Sequence, residues 1–190
     1  MVLFALLLVA CPRPPVDAPV AQPALVELHA TDPEAARADL LGAIKAPGLG
    51  GLSAGTVVRL TEDKPVYRLW NGPAKVDANG HDNRLGQWWT FDAPHGTQAE
   101  YRVDYEICEG WNDLTWVATC TLKAGSVVVV GPGQSVSPET CRTEESYAAN
   151  PRDLQVYVAK AWTRLGTELD CPDASSDYAA NPDDLTRAMP

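Results

Sequence analysis

Four cysteines in the second half of the chain, Cys108, Cys120, Cys141 and Cys171, constrain its fold more than any other feature. A fifth, Cys11, stands apart at the end of an apolar run, so the remaining set is even. No Cys-x-x-Cys pair occurs, and His29, His81 and His95 do not sit at ligand spacing near the cysteines, so zinc is the weak alternative and no metal site is expected. Nothing near them looks able to lower a thiol pKa, which argues against a catalytic cysteine. Two disulfides are expected rather than free thiols. Three connectivities stay open; Cys120–Cys141 is the favoured pair, because a hairpin would bring those two together.

Residues 2–10 carry no charge, and the run ends in Leu8-Val9-Ala10-Cys11. This resembles the lipobox of bacterial lipoproteins: an aliphatic residue, a small or aliphatic one, a small one, then cysteine. The resemblance implies a signal peptide over 1–10, cleavage before Cys11, and a diacylglycerol thioether on its sulfur. A further acyl chain such as palmitate on the new amino group is common, and two or three chains anchor stably. The positively charged opening of a typical signal peptide is absent. Pro12, Pro14, Pro15, Pro19 and Pro23 then make residues 11–30 read as an extended tether. The expected address is the bacterial cell envelope, with the membrane as partner through the lipid anchor. Such a compartment is oxidising, which suits disulfides.

Composition narrows the function classes. The chain has 190 residues, 45% of them apolar, enough for one domain with a real core. A formal net charge of −10 argues against nucleic acid and anionic lipid headgroups as partners. No apolar run reaches the roughly 20 residues of a spanning helix.

The pattern along the chain predicts an α+β fold with mainly antiparallel strands and two or three helices, the globular domain running over 31–170. Thr31 and Glu34 read as a capping box ahead of a helix with Ala36, Leu40, Leu41 and Ile44 on one face. Thr56–Thr61 and Val66–Trp70 read as strands separated by a turn, and Gln87–Phe91 as a third. Thr97 and Glu100 form a second capping-box pattern, before a helix near 98–107. Leu114–Leu122 and Ser126–Val130 read as a hairpin, and 154–160 as a strand rather than a helix. Residues 71–86 read as a loop; its oxygen-rich run Asp77–Asp82 lacks the order of a calcium-binding loop. Gly131-Pro-Gly-Gln-Ser135 reads as a tight turn, lacking the lysine of a phosphate-binding loop.

One octapeptide occurs twice. Tyr147-Ala-Ala-Asn-Pro-Arg-Asp-Leu154 returns as Tyr178-Ala-Ala-Asn-Pro-Asp-Asp-Leu185. A local duplication is the favoured explanation and a docking motif the other; residues 171–190 read as an acidic C-terminal tail.

A second resemblance rests on three strands: Val66-Tyr-Arg68, Gln87-Trp-Trp-Thr90, and Lys123-Ala-Gly-Ser-Val-Val-Val130. Their order over residues 55–160 resembles ADP-ribosyltransferase-like toxin domains. That resemblance implies NAD binding, with Arg68 as the arginine that grips NAD and Thr90 at the Ser/Thr position. Trp88 and Trp89 would line the pocket. The family's last strand carries a catalytic glutamate; this chain offers Gln155 there, and a neutral amide cannot supply that charge. Glu144 and Glu145 are the loop acids that would stand in for it. The sequence therefore favours a lipid-anchored envelope protein whose domain binds a ligand or an envelope partner without catalysis, needing no cofactor. An NAD-dependent ADP-ribosyltransferase-like or NAD glycohydrolase enzyme is the alternative.

Overall fold

The computed structural model describes residues 24–29 and 31–188. The expected signal peptide, Cys11 and the proline-rich run to Pro23 lie outside the described residues. In chain order the elements are β1 (Leu25–Glu27), a 3-10 turn (Pro33–Ala38), α1 (Leu40–Ala43), β2 (Thr56–Leu60), β3 (Lys64–Trp70) and β4 (Trp88–Trp89). There follow α2 (Gln98–Asp104), β5 (Trp116–Leu122), β6 (Val127–Pro132), α3 (Pro138–Cys141), β7 (Leu154–Tyr157), β8 (Leu169–Asp170) and β9 (Tyr178–Ala179). Every ladder between these strands is antiparallel. The α+β class is as expected: one compact domain with short helices and two disulfides.

The strands form two sheets, β1-β2-β6-β7-β4 and β3-β5-β8, with β9 also on β5. This corrects the hairpin reading of the β5 and β6 regions. The two strands are consecutive in sequence but lie in different sheets, as β2 and β3 do. The chain crosses between sheets at two corners, residues 61–63 and 123–126, and these lie side by side. Asp63 Oδ1 accepts from the Ala124 N–H at 2.8 Å, and Lys123 Nζ donates to Asp63 Oδ2 at 3.0 Å. Val58, Leu60, Val66, Leu122, Val128 and Val156 pack between the sheets as the main core.

The sheets meet along β3 and β4. Tyr67 and Thr90, just past β4, exchange both backbone hydrogen bonds at 2.9 Å, and among the described residues no further backbone pairing joins the two strands. This bridge sets the position of the site described below.

The disulfides are Cys108–Cys141 and Cys120–Cys171, not Cys120–Cys141. Register explains the second. Thr121 pairs with Asp170 across β5 and β8, so the next pair along the ladder brings Cys120 to Cys171. Cys108 follows α2, and Cys141 ends α3, whose Ser137 cap accepts from the Thr140 N–H. The helix expected after Thr31 is instead a 3-10 turn and a single α turn, divided at Asp39, which takes a left-handed conformation (φ 49°). The Thr97–Glu100 capping box forms in both directions.

The segment read as an acidic tail packs onto the domain. Leu185 is fully buried against Tyr101, Tyr105, Leu114 and Val117. Asp177 receives two hydrogen bonds of 2.7 Å from Arg84. The two octapeptides fold alike at their Asn-Pro steps: Asn150 Oδ1 accepts from the Arg152 N–H and Asn181 Oδ1 from the Asp183 N–H, each at 3.0 Å. Such Asx turns are what asparagine before proline favours. The copies hold opposite ends of α2. Pro182 O accepts from the Gln98 N–H at 2.8 Å, and Asn150 Nδ2 donates to Asp104 O at 3.1 Å.

Candidate functional site

Where β4 leaves β3, a cleft of about 270 Å³ opens. Arg68, Trp88, Thr90, Glu106, Trp111 and Gln155 are among its lining residues. They come from β3, β4, the end of α2 and the loop after it, and β7. Five of the sequence candidates, Arg68, Trp88, Trp89, Thr90 and Gln155, thus border one cavity although up to 87 residues separate them.

Arg68 is half-buried and held by backbone carbonyls. Its Nε donates to Asn83 O at 3.0 Å and its Nη1 to Trp88 O at 2.7 Å. A guanidinium has five N–H groups, and no further protein acceptor takes the others among the described residues. No carboxylate pairs with it there. Burial lowers its pKa to about 10, which leaves it charged at neutral pH. Gly86 lies against the guanidinium so closely that a Cβ would overlap Nη2. Here the loop 71–86 contributes directly: Asn83 and Gly86 fix the arginine's plane.

Thr90 is buried, and its hydroxyl donates to Asp92 O at 2.8 Å. The buried phenol of Tyr101 reaches the same side chain, and burial raises that phenol's pKa. Trp88 is half-buried, with its ring 4.8 Å from that of Tyr157. Trp89 goes the other way, into the core, as adjacent strand residues must; its indole N–H donates to Gly86 O at 2.7 Å.

The loop after α2 forms the facing wall. Asn112 Nδ2 donates to Leu69 O at 2.7 Å, pinning the wall to β3, and Cys108–Cys141 fastens its base. Trp111 on this wall is exposed.

The carboxylate of the cleft is one that sequence reasoning missed. Glu106 is only 2% exposed and sits just after α2 with φ 48°. Its Oε1 accepts from the Asn150 N–H at 2.6 Å and its Oε2 from Gln155 Nε2 at 3.2 Å. Burial raises its pKa to about 8 against those two hydrogen bonds, and the charges of Asp153 and Asp104 add to the rise. Gly133 packs flat on this pair; a Cβ there would overlap Glu106 Oε2. Gly131 and Pro132 run on as the end of β6 rather than forming the tight turn expected at 131–135, and Gly133 just beyond is required by close approach. The loop acids do not take part. Glu145 accepts from the Glu109 N–H, and Glu144 is exposed; neither lines the cleft.

The three groups that carry chemistry thus converge: a cation with free donors, an aromatic face, and an amide backed by a buried acid. A planar cation with unfilled N–H groups suits a phosphate, which it binds in a bidentate manner. Among the described residues, one His/Cys/Asp/Glu group has metal-ligand proximity, Cys108, Cys141 and Glu145, but its sulfurs are joined to each other. No helix of the described residues is long and apolar enough to cross a membrane. Comparisons with protein-family models, curated proteins and solved structures return no match for this chain.

Proposed function

We propose that the cleft binds the nicotinamide–ribose end of NAD and cleaves its N-glycosidic bond. The observation that carries this reading is Arg68: a half-buried guanidinium with free N–H groups and no carboxylate partner, beside Thr90 and Gln155. A desolvated charge left without a protein anion is costly unless a ligand supplies one. The pyrophosphate of NAD does so. The cleft, slightly under the ~300–1,000 Å³ of typical ligand pockets, takes one end of the dinucleotide and leaves the rest outside. Trp88 supplies a face for the nicotinamide ring, and the Gln155 carbonyl an acceptor for a ribose hydroxyl.

In this reading the C1′–N bond breaks and nicotinamide leaves with the bonding pair. Water, or a hydroxyl of a target molecule, adds to C1′ and gives up one proton. The protein's part is to hold the ribose and to stabilise the cationic character at C1′.

The neutral Gln155 favours a second reading, a domain that binds such a ligand without turning it over. In both, the Leu8–Cys11 motif and the two disulfides support a lipid-anchored protein of the bacterial envelope.

One experiment separates the readings. The disulfide-intact chain is titrated with NAD by calorimetry, then incubated with NAD while nicotinamide release is followed chromatographically. Release that R68A abolishes supports the enzyme; binding without release supports the ligand-binding domain. The absence of both binding and release would rule out NAD. Mass spectrometry of the N-terminus tests the anchor, and an unacylated, uncleaved Met1 would sink it.

A further inference from the structure

We propose that Glu106 is the positioning residue of this cleft, holding the Gln155 amide so that its carbonyl oxygen is presented to the bound ligand. The proposal rests on the NAD reading for the ligand's identity, though not for the geometry.

Both hydrogens of the Gln155 amide are taken. Nε2 donates to Tyr105 O at 3.1 Å and to Glu106 Oε2 at 3.2 Å. Gln155 Oε1 has no partner among the described residues, and the side chain lines the cleft. The amide orientation therefore follows from its two acceptors. An ionised carboxylate serves both Asn150 and Gln155, one through each oxygen. An amide at 106 offers one acceptor oxygen and turns its own NH2 toward one of two donors. A neutral carboxyl has the same defect. With Oε1 held 2.6 Å from the Asn150 nitrogen, the proton falls on Oε2. That hydroxyl then seeks the Gln155 carbonyl and draws it out of the cleft.

The charge state of Glu106 thus sets which end of Gln155 the ligand meets. The groups that bias it are Asp104 at the end of α2 and Asp153 ahead of β7, both raising its pKa, opposed by the Asn150 and Gln155 donors. Tyr67, Arg68, Tyr101 and Tyr105 are the other titratable residues lining the cleft. The ionised form presents the carbonyl, so turnover should rise with pH through the ionisation of Glu106, near 8.

The test is a pH series on the disulfide-intact chain, combining side-chain amide NMR of Gln155 with initial rates of NAD cleavage. The Gln155 NH2 signals should shift along one titration near pH 8, and kcat should rise through the same midpoint. Glu106→Gln should abolish both pH responses and lower kcat about tenfold or more, with KM within about twofold. Glu106→Asp should restore part of the pH response. Gln155 signals indifferent to pH would overturn the proposal, as would a Glu106→Gln enzyme with the wild-type profile. The wild-type titration needs no variant, so a misfolded Glu106→Gln leaves the proposal testable. A chain that shows the amide titration yet neither binds nor cleaves NAD would sink the NAD reading and leave the positioning standing.

Discussion

Arg84 and Asp177 form a bidentate ion pair across 93 residues of sequence, both contacts 2.7 Å and the carboxylate 1% exposed. Arg84 also donates to Pro172 O at 3.0 Å. The pair joins the loop that holds Arg68 to the segment that ends in the second octapeptide. Asp177→Ala would leave a largely buried guanidinium without its anion. The expected loss is about 3 kcal/mol, as for other broken buried pairs, read by urea unfolding. An unchanged midpoint would show the pair to be ornamental.

Gly86 separates support of Arg68 from support of the fold. An alanine Cβ would displace the end of a flexible side chain and not the backbone. Gly86→Ala should therefore change stability by less than about 1 kcal/mol while weakening NAD binding about tenfold, measured by calorimetry. Arg68→Lys should fail similarly, since an ammonium cannot reproduce the planar fork. Full affinity in both variants would remove Arg68 from the site.

The two disulfides should behave differently. With sequence separations of 33 and 51 residues, each removes about 4 kcal/mol of chain entropy from the unfolded state by the loop-closure model. Cys108–Cys141 also fastens the wall between Glu106 and Asn112. Replacing that pair by serines should weaken both stability and ligand affinity. Replacing Cys120 and Cys171 should lower stability and leave the affinity of the folded fraction intact. Paired calorimetry and thermal melts would show whether the distinction holds.

Glu106 makes stability fall as pH rises. In the unfolded chain its carboxyl ionises near the ordinary 4.5; in the fold it keeps its proton to about 8. Between those values the unfolded state binds fewer protons, so unfolding becomes easier, by at most about 1.4 kcal/mol per pH unit. The decline should level off above pH 8, and Glu106→Gln should lack this component. Denaturant midpoints from pH 5 to 9 would check it; parallel curves for the two proteins would contradict the burial of this acid. The proposed turnover rises over the upper part of this range.

Some local features were legible in the sequence, though the Thr31–Glu34 capping box did not form, and most non-local features were not. The Thr97–Glu100 capping box forms as read because all its partners lie within three residues. The grouping of Arg68, Thr90, Trp88 and Gln155 came from strand motifs, and the structure brings those residues together in one cleft. The cysteine pairing was misread because a hairpin was assumed where the chain changes sheet, and the register of Thr121 with Asp170 depends on 48 intervening residues. Glu106 was invisible for a related reason. Nothing local marks a glutamate in a left-handed conformation, or one buried by Asn150 and Gly133. Leu185 is the single branched aliphatic residue of an acidic stretch, so no periodicity announced that it fills the core beside α2.

The helix that ends just before Glu106 is suspended like a shaft between two bearings cut from one pattern, residues 147–154 at its C-terminal end and 178–185 at its N-terminal end. Loss of the second bearing would leave the shaft pivoting on the first and free its Gln98 end, three residues from the Tyr101 that lines the cleft. A protease that clips between residues 171 and 178 would therefore loosen the Tyr101 side of the cleft without entering it. The duplicated octapeptide makes the far end of the described chain a handle on its centre.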